Sequence, residues 1–115
     1  MAVVTPEAHD QLRGLSTGDL DLLESAAGLR EAQLETTGLD ARTFGLAKIA
    51  ALIALDAPPA SYAWQVANAL ADGATPDDIV GVLRAVAPQV GGPRVVAAAP
   101  EIMLALGLSV GDDAA

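Results

Sequence analysis

The chain has 115 residues and a mass of 11.5 kDa, the size of one small domain. Hydrophobic residues make up 52% of it and charged residues 18%, and its mean hydropathy is +0.41, which excludes a disordered chain. A chain of this size buries only about two-thirds of its unfolded surface. The apolar surplus therefore predicts that copies of the chain cover one another.

The charge balance and the residue types exclude several classes of partner and site. Six Lys+Arg against fifteen Asp+Glu give a net charge of −9, so we expect neither a nucleic acid nor a membrane as partner. The absence of cysteine excludes disulfides, thiolate metal ligands and thiol redox catalysis in this chain. His9 is the sole histidine, so we expect no metal site within one subunit, and we expect no cofactor.

Nothing in the sequence predicts export or membrane insertion. Residues 1–10 lack the basic and long apolar segments of a secretory signal, and the most apolar stretch, residues 49–55, is far shorter than the ~20 residues of a membrane span. We therefore expect a cytoplasmic protein. Abundant alanine and the preference for arginine over lysine indicate a GC-rich bacterial source.

Helix-start and helix-stop residues predict an all-α chain of five to seven helices, with no period-two strand pattern. The Thr-Pro-Glu sequence at residues 5–7 predicts a first helix to about residue 13. Apolar spacing predicts a second helix over about 20–35, with Gly38 as a helix stop. We assign these helices to an N-terminal segment, residues 1–38.

A helical core is predicted over residues 39–109, followed by a frayed tail at 110–115 within the same single domain. Asp40 and the Thr-Pro-Asp-Asp sequence at residues 75–78 are predicted helix starts. The expected architecture is a helical bundle that oligomerises through its apolar helix faces. The predicted core helices cover residues 41–55, 61–71, 76–87 and 94–106.

Prolines mark the predicted breaks in this core. Pro58 and Pro59 separate its first two helices, since proline lacks a backbone donor and restrains the residue before it. Pro88 is expected to end the third helix at a corner that includes residues 91–93. Pro100 is expected to kink or break the last helix.

Lys48 is the first candidate for chemistry because its helical neighbours are all apolar. Removal of water from its amine would favour the neutral form, which acts as a base or nucleophile. The alternative is a structural lysine that extends to solvent or pairs with an acid on another helix or subunit. The neighbours are Phe44, Gly45, Ala51, Leu52 and Leu55.

A polar stripe follows the predicted helix over residues 61–71. Its members are Ser61, Gln65, Asn68 and Asp72, and Tyr62 and Trp64 flank it. Large amphipathic rings beside short amides suit a small-molecule pocket or a subunit contact. The alternative is an ordinary amphipathic helix with one solvent side and with core aromatics.

Arginines and one glutamate complete the candidate binding residues. Arg42, Arg84 and Arg94 can each hold a carboxylate through two hydrogen bonds. Arg42 opposes the helix dipole in a first turn, which predicts a specific partner for it. Glu101 lies on an otherwise apolar helix and is a candidate partner of Lys48 or of an arginine.

Three ordered blocks of the sequence carry a family resemblance. They are residues 39–43 (LDART), 69–79 (ALADGATPDDI) and 87–96 (APQVGGPRVV). Over roughly residues 39–107 the chain resembles the carboxymuconolactone decarboxylase family, which includes the alkylhydroperoxidase D-like proteins. The resemblance implies an all-α fold that assembles as a homotrimer or homohexamer, with active sites near subunit interfaces.

The redox residues implied by that resemblance are replaced in this chain. The two cysteine positions fall on Pro58 and Ser61, the histidine position on Gln65, and the glutamate position near Gly45 or Leu46. None of these residues supplies a thiol or transfers a proton near neutral pH. The sequence therefore predicts that the chain is not a thiol peroxidase.

Two functions remain open. One is a cofactor-free lyase or isomerase for a small organic acid or lactone, with Lys48, Tyr62 and Gln65 as catalytic candidates. Lys48, Tyr62 or Glu101 would supply the acid, and Gln65 would donate a hydrogen bond to an oxyanion. The other is a non-catalytic oligomeric binding or scaffold protein that retains the fold. The candidate substrate-binding residues are Arg42, Ser61, Trp64, Asn68, Arg94 and Glu101.

Overall fold

The computed structural model describes residues 3–17, 19 and 30–110, and within them the fold is entirely helical. Much of the predicted second helix, residues 20–29, and most of the predicted tail, residues 111–115, lie outside the described residues. No helix among the described residues is both long and apolar enough to cross a membrane. The helices are α1 (Pro6–Thr17), α2 (Arg30–Thr37), α3 (Ala41–Leu55), α4 (Pro59–Ala71), α5 (Pro76–Val90) and α6 (Gly92–Ala105).

Short polar side chains set the starts of α3 and α5, as predicted. The Asp40 carboxylate accepts a hydrogen bond of 2.7 Å from the backbone N–H of Thr43. At α5, the Thr75 hydroxyl accepts from the Asp78 backbone N–H at 3.1 Å. The Asp78 carboxylate accepts in return from the Thr75 backbone N–H at 2.9 Å. This reciprocal capping box satisfies two donors at the start of α5.

Helix α1 is longer than predicted because hydroxyl groups complete its last turn. It continues past Arg13 to Thr17. The Ser16 hydroxyl donates to the Arg13 carbonyl at 2.8 Å, and the Thr17 hydroxyl donates to the same carbonyl at 3.0 Å. These bonds supply donors to a carbonyl near the end of the helix.

The prolines end or interrupt fewer helices than the sequence predicts. Helix α4 already begins at Pro59, where the missing N–H is not needed in a first turn. Helices α5 and α6 continue through Pro88 and Pro100, so the predicted end at Pro88 and a break at Pro100 are wrong. Pro88 and Pro100 have no backbone N–H, so the carbonyls of Arg84 and Val96 receive no helical hydrogen bond from them. Both of these residues are exposed, and water can donate to their carbonyls instead.

One apolar core lies among α3, α4, α5 and α6. Helices α3 and α6 each contact all three of the others. Helix α1 contributes no buried residue to this core. Because the core side chains are aliphatic apart from one tyrosine, packing rather than polar contacts holds the four helices together. The core residues are Ile49, Ile53, Tyr62, Val66, Ala69, Ala74, Ile79, Ala98 and Ile102.

Helices α3 and α4 approach each other closely at Gly45 and Ala69. A Cβ atom added to Gly45 would lie 3.1 Å from both the Cα and the Cβ of Ala69. Both residues are buried, so a larger side chain at position 45 has no solvent-filled space to enter. The separation of α3 and α4 therefore depends on glycine at this position.

We predict that Gly45→Leu lowers the free energy of unfolding by about 1–3 kcal/mol, the usual effect of overpacking a core. Gly81→Ala is the matched control, since Gly81 lies inside α5 and an added Cβ there meets no atom within 4 Å. The control should gain about 0.5–1 kcal/mol from its higher helix propensity. Urea unfolding followed by circular dichroism measures both changes, and an unchanged Gly45→Leu variant would contradict the close packing.

Candidate functional site

Two surface grooves contain the most distinctive candidate residues. The first, called the Glu101 groove, lies between the ends of α1 and α6 and the start of α4, with a volume of about 430 Å³. Its lining residues are Ser16, Thr17, Pro58, Pro59, Ala60, Ala63, Glu101, Leu104 and Ala105. The second, called the Lys48 groove, lies between the end of α2 and one face of α3, with a volume of about 460 Å³. Its lining residues are Thr36, Thr37, Leu39, Phe44, Ala47, Lys48 and Ala51.

Glu101 is the one ionisable side chain among the described residues that line the Glu101 groove. The hydroxyls of Ser16 and Thr17 donate to backbone carbonyls of α1, and the other walls are proline, alanine and leucine. Among the side chains that the structure describes, Glu101 forms no ion pair with Lys48 or with an arginine. A carboxyl group between apolar walls is a suitable group for proton transfer.

Tyr62 lies in the core, with 1% of its surface exposed, and it lines neither groove. Burial raises the pKa of its hydroxyl, and the negative charges of Asp56 and Glu101 raise that pKa further. The hydroxyl therefore stays protonated at neutral pH and is not a base there. The electrostatic influence also shows that Tyr62 lies within range of the Glu101 charge.

Lys48 and Phe44 both line the Lys48 groove. The ammonium nitrogen Nζ lies 4.2 Å from the centroid of the Phe44 ring, within the distance of a cation–π contact. Phe44 is itself buried, so the ring is held in place under the cation. Of the apolar neighbours predicted for Lys48, Phe44 and Ala51 line this groove, and Phe44 contacts the amine directly.

Arg42 has a partner within the protein. Its Nε donates to Oδ2 of Asp78 at 3.1 Å, and its Nη2 donates to Oδ1 at 2.6 Å. The pKa of Asp78 falls to about 2, mainly because Arg42 and then the Thr75 backbone N–H donate to its carboxylate. The pair joins the first turn of α3 to the first turn of α5 and engages the Arg42 guanidinium.

The remaining candidate residues line neither groove. Ser61, Trp64 and Gln65 are partly buried on α4 and line neither groove. Asn68, further along α4, has a buried side-chain nitrogen without a hydrogen-bond partner. Arg94 is exposed in the first turn of α6. Each groove therefore contains a single sequence-predicted candidate.

Comparison with known families identifies the fold. A profile of the carboxymuconolactone decarboxylase family matches residues 21–102, most of the chain. The chain belongs to this family. The profile match confirms the family resemblance that the three sequence blocks indicate. Comparisons with curated proteins and with solved structures gave no significant match.

In this carboxymuconolactone decarboxylase family member, the start of α4 is one wall of the Glu101 groove. Pro58, at one implied cysteine position, is the N-cap of α4 and lines the groove, and Ser61 follows in the first turn. Gly45, near the implied glutamate position, is packed against Ala69 and leaves no room for an acid. The groove thus lies where the resemblance implies chemistry, but its carboxyl group comes from Glu101 on α6.

Sequence reasoning predicted a partner for Arg42 and named Phe44 as a neighbour of Lys48, but it did not identify the Arg42–Asp78 pair or the ring–amine contact. Asp78 is separated from Arg42 by 36 positions, and no local pattern indicates that pairing. Phe44 lies one helical turn before Lys48, and that spacing is a signal for a ring–amine contact that the sequence does contain.

We predict that acid weakens the fold through the Arg42–Asp78 pair. The folded-state pKa of Asp78 is about 2, below its ordinary value of 3.8. The pair therefore stabilises the fold above about pH 4, and this contribution is lost as the pH falls toward 2. Melting temperatures between pH 7 and pH 2 should fall less steeply for Arg42→Met than for the unmodified chain. Arg84→Met, which removes an exposed arginine of α5, should keep the original slope; equal slopes for all three would contradict the pair's role.

Proposed function

We propose that the chain is a cofactor-free lyase or isomerase that acts on a small lactone or organic acid in the Glu101 groove. The observation that carries this proposal is the carboxyl group of Glu101 in a groove at the start of α4, where it is the one ionisable group among the described lining residues. The groove volume, about 430 Å³, lies in the usual range for small-molecule sites, roughly 300–1,000 Å³. Thiol peroxidase chemistry is excluded for this chain because it contains no cysteine.

Glu101 would carry the proton in either reaction. In a decarboxylation, the electron pair of the breaking C–C bond enters the conjugated carbonyl as CO₂ leaves, and Glu101 relays a proton from solvent to the resulting enolate carbon. In an isomerisation, the Glu101 carboxylate first removes a proton beside the carbonyl and returns it to another carbon. Solvent restores the starting protonation state, so neither reaction needs a further reagent.

The charge of the groove favours a lactone over a free acid. Glu101 supplies a negative charge, and the described lining residues include no cation. The net charge of −9 adds a field that disfavours anions near the protein. A neutral lactone avoids both repulsions while it keeps a carbonyl that can accept charge. Because a neutral lactone has no carboxylate to lose as CO₂, the charge of the groove favours isomerisation over decarboxylation.

A second candidate function is a non-catalytic oligomeric binding or scaffold protein. The separation of the sequence-predicted catalytic residues favours it, since Lys48 lines one groove, Tyr62 is in the core and Gln65 lines neither groove. A glutamine also stands where the family resemblance implies a proton-transferring histidine. Such a protein would bind a ligand in the Glu101 groove without converting it.

Deuterium exchange separates the two functions. In D₂O we expect the chain to place deuterium on the carbon beside the carbonyl of an unsaturated γ-lactone. Proton NMR measures this exchange. Glu101→Gln keeps the side-chain size but cannot transfer a proton, so the exchange rate should fall about 10²–10⁴-fold. Glu7→Gln is the matched control, because Glu7 is an exposed acid of α1 that lines neither groove.

The outcomes of this experiment are distinct. Saturable binding of the lactone without exchange would support the second candidate function. Equal exchange by Glu101→Gln and the unmodified chain would reject Glu101 as the proton carrier. Absence of both binding and exchange would reject the Glu101 groove as the lactone site.

We also propose that the chain assembles with itself as a homotrimer or homohexamer through an outward apolar face of α6. Val96 is 72% exposed and Leu104 is 56% exposed, and Pro100 lies between them at helical spacing. On the other side of α6, Ala98 and Ile102 are buried in the core. Exposed aliphatic side chains in such a row are typical of a surface that another subunit covers.

We predict that sedimentation equilibrium gives a mass three or six times 11.5 kDa. Val96→Asp places a charge in the proposed contact and should shift the chain toward the monomer. Gln89→Asp adds the same charge at an exposed polar residue of α5 and should leave the assembly intact. A monomer at micromolar concentration of the unmodified chain would contradict the assembly.

A further inference from the structure

We propose that the Glu101 groove also binds a small organic ammonium ion, the protonated form of a primary amine with an apolar body. This binding is a property beyond the lactone chemistry proposed above and does not require it. A bound ammonium ion would inhibit that chemistry, because it would occupy the same groove. Three features of the groove point to a cation: its ionisable group, its hydroxyl groups and the helix ends that meet there.

The Glu101 carboxylate is available to a ligand. It forms no ion pair with another described side chain, and the described lining of its groove contains no cation. Apolar walls beside it reduce the screening of an ammonium–carboxylate contact by water. The net charge of −9 attracts cations to the protein as a whole, so an organic cation approaches the groove without electrostatic repulsion.

The two hydroxyl groups of the groove can only accept a hydrogen bond from a ligand. The Ser16 hydroxyl donates its proton to the Arg13 carbonyl at 2.8 Å. The Thr17 hydroxyl donates to the carbonyls of Arg13 and Gly14 at 3.0 and 3.2 Å. Each hydroxyl has one proton, which is used within α1, and an ionised carboxylate has none. The polar side chains of the described lining therefore offer acceptors alone, and a primary ammonium group with three N–H donors matches them.

The helix ends at the groove also favour a cation over an anion. Helix α1 ends at Thr17 and α6 ends at Ala105, and both residues line the groove. The C-terminal end of a helix carries a partial negative charge, and neither last turn contains a basic residue. The start of α4 is an opposite, positive end, but Pro58 and Pro59 have no backbone N–H there. The Ser61 N–H donates to the Pro58 carbonyl at 3.0 Å, so this helix start has few donors for an anion.

The remaining walls explain why the ligand should have an apolar body. Pro59, Ala60 and Ala63 of α4 and Leu104 of α6 present carbon surface to the groove. The volume of about 430 Å³ is in the usual range for sites of small molecules. One charged anchor beside apolar walls suits a monoamine better than a polyamine, whose further charges would lie against apolar surface.

An NMR titration of the full ¹⁵N-labelled chain at pH 7 with cyclohexylammonium and with neutral cyclohexanol tests this site. The two probes have nearly the same shape, so a difference in affinity reports the charge. We expect cyclohexylammonium to shift the amides of residues 16–17, 60–63 and 101–105 in a saturable way, and to bind at least about ten-fold more tightly than cyclohexanol. The trimethylated form of cyclohexylammonium keeps the charge but has no N–H donor, so it should bind more weakly. These comparisons need no variant.

Two variants locate the charge that recognises the ammonium ion. Glu101→Gln removes the negative charge at nearly constant size and should weaken cyclohexylammonium about ten-fold or more, with little effect on cyclohexanol. Glu7→Gln makes the same change at an exposed acid of α1 that lines neither groove, and it should leave the affinity unchanged.

Equal affinity for cyclohexylammonium and cyclohexanol, equal weakening by the two variants, shifts spread over the acidic surface, or no saturable binding would each overturn the proposal. Equally tight binding of the trimethylated probe would overturn the part assigned to the hydroxyl oxygens. The lactone test is separate from this one. Ammonium binding by a chain that neither binds nor exchanges the lactone would support this inference and reject the proposed function.

Discussion

The close packing of α3 against α4 at Gly45 and Ala69 is the constraint on which the rest of the structure depends. An added Cβ would lie only 3.1 Å from the facing helix, so the two backbones sit nearer than larger side chains allow. This distance places the end of α4 against the first half of α3, and Ile49 and Ile53 on α3 lie in the core. The opposite side of α3 is left with Phe44 and its neighbouring lysine, so the same packing defines both the core and the Lys48 groove.

Among the described residues, a network of polar contacts joins the starts of α3 and α5. Asp40 caps α3, Thr75 and Asp78 cap each other at α5, and Arg42 joins the two starts. Asp78 thus completes a cap and an ion pair with a single carboxylate, which explains its low pKa. This arrangement orders helix ends that have no other strong polar contact with each other, while the interior between them remains apolar.

Features that depend on a few adjacent residues could be predicted from the sequence. The bounds of α3 follow from Asp40 and the apolar run after it, and the start of α5 follows from the Thr-Pro-Asp-Asp sequence. The effect of a proline inside a helix could not be predicted locally, because the free-energy cost of the lost hydrogen bond depends on its surroundings. Here the carbonyls that lose the bond belong to Arg84 and Val96, which are exposed to water. The Arg42–Asp78 pair and the position of Glu101 beside the start of α4 depend on tertiary packing, which no local spacing encodes.

The arrangement of ionisable groups in this chain differs from the one that the family resemblance implies for the redox members. At the start of α4, Pro58 and Ser61 occupy the positions at which the family resemblance implies cysteines, and Gly45 is too tightly packed for an acid. The carboxyl group in the groove at this location comes instead from α6, as Glu101. Lys48, with the opposite charge, lines a separate groove. Glu101 is therefore the group on which the proposed lactone chemistry depends, since it is the one ionisable side chain among the described residues of its groove.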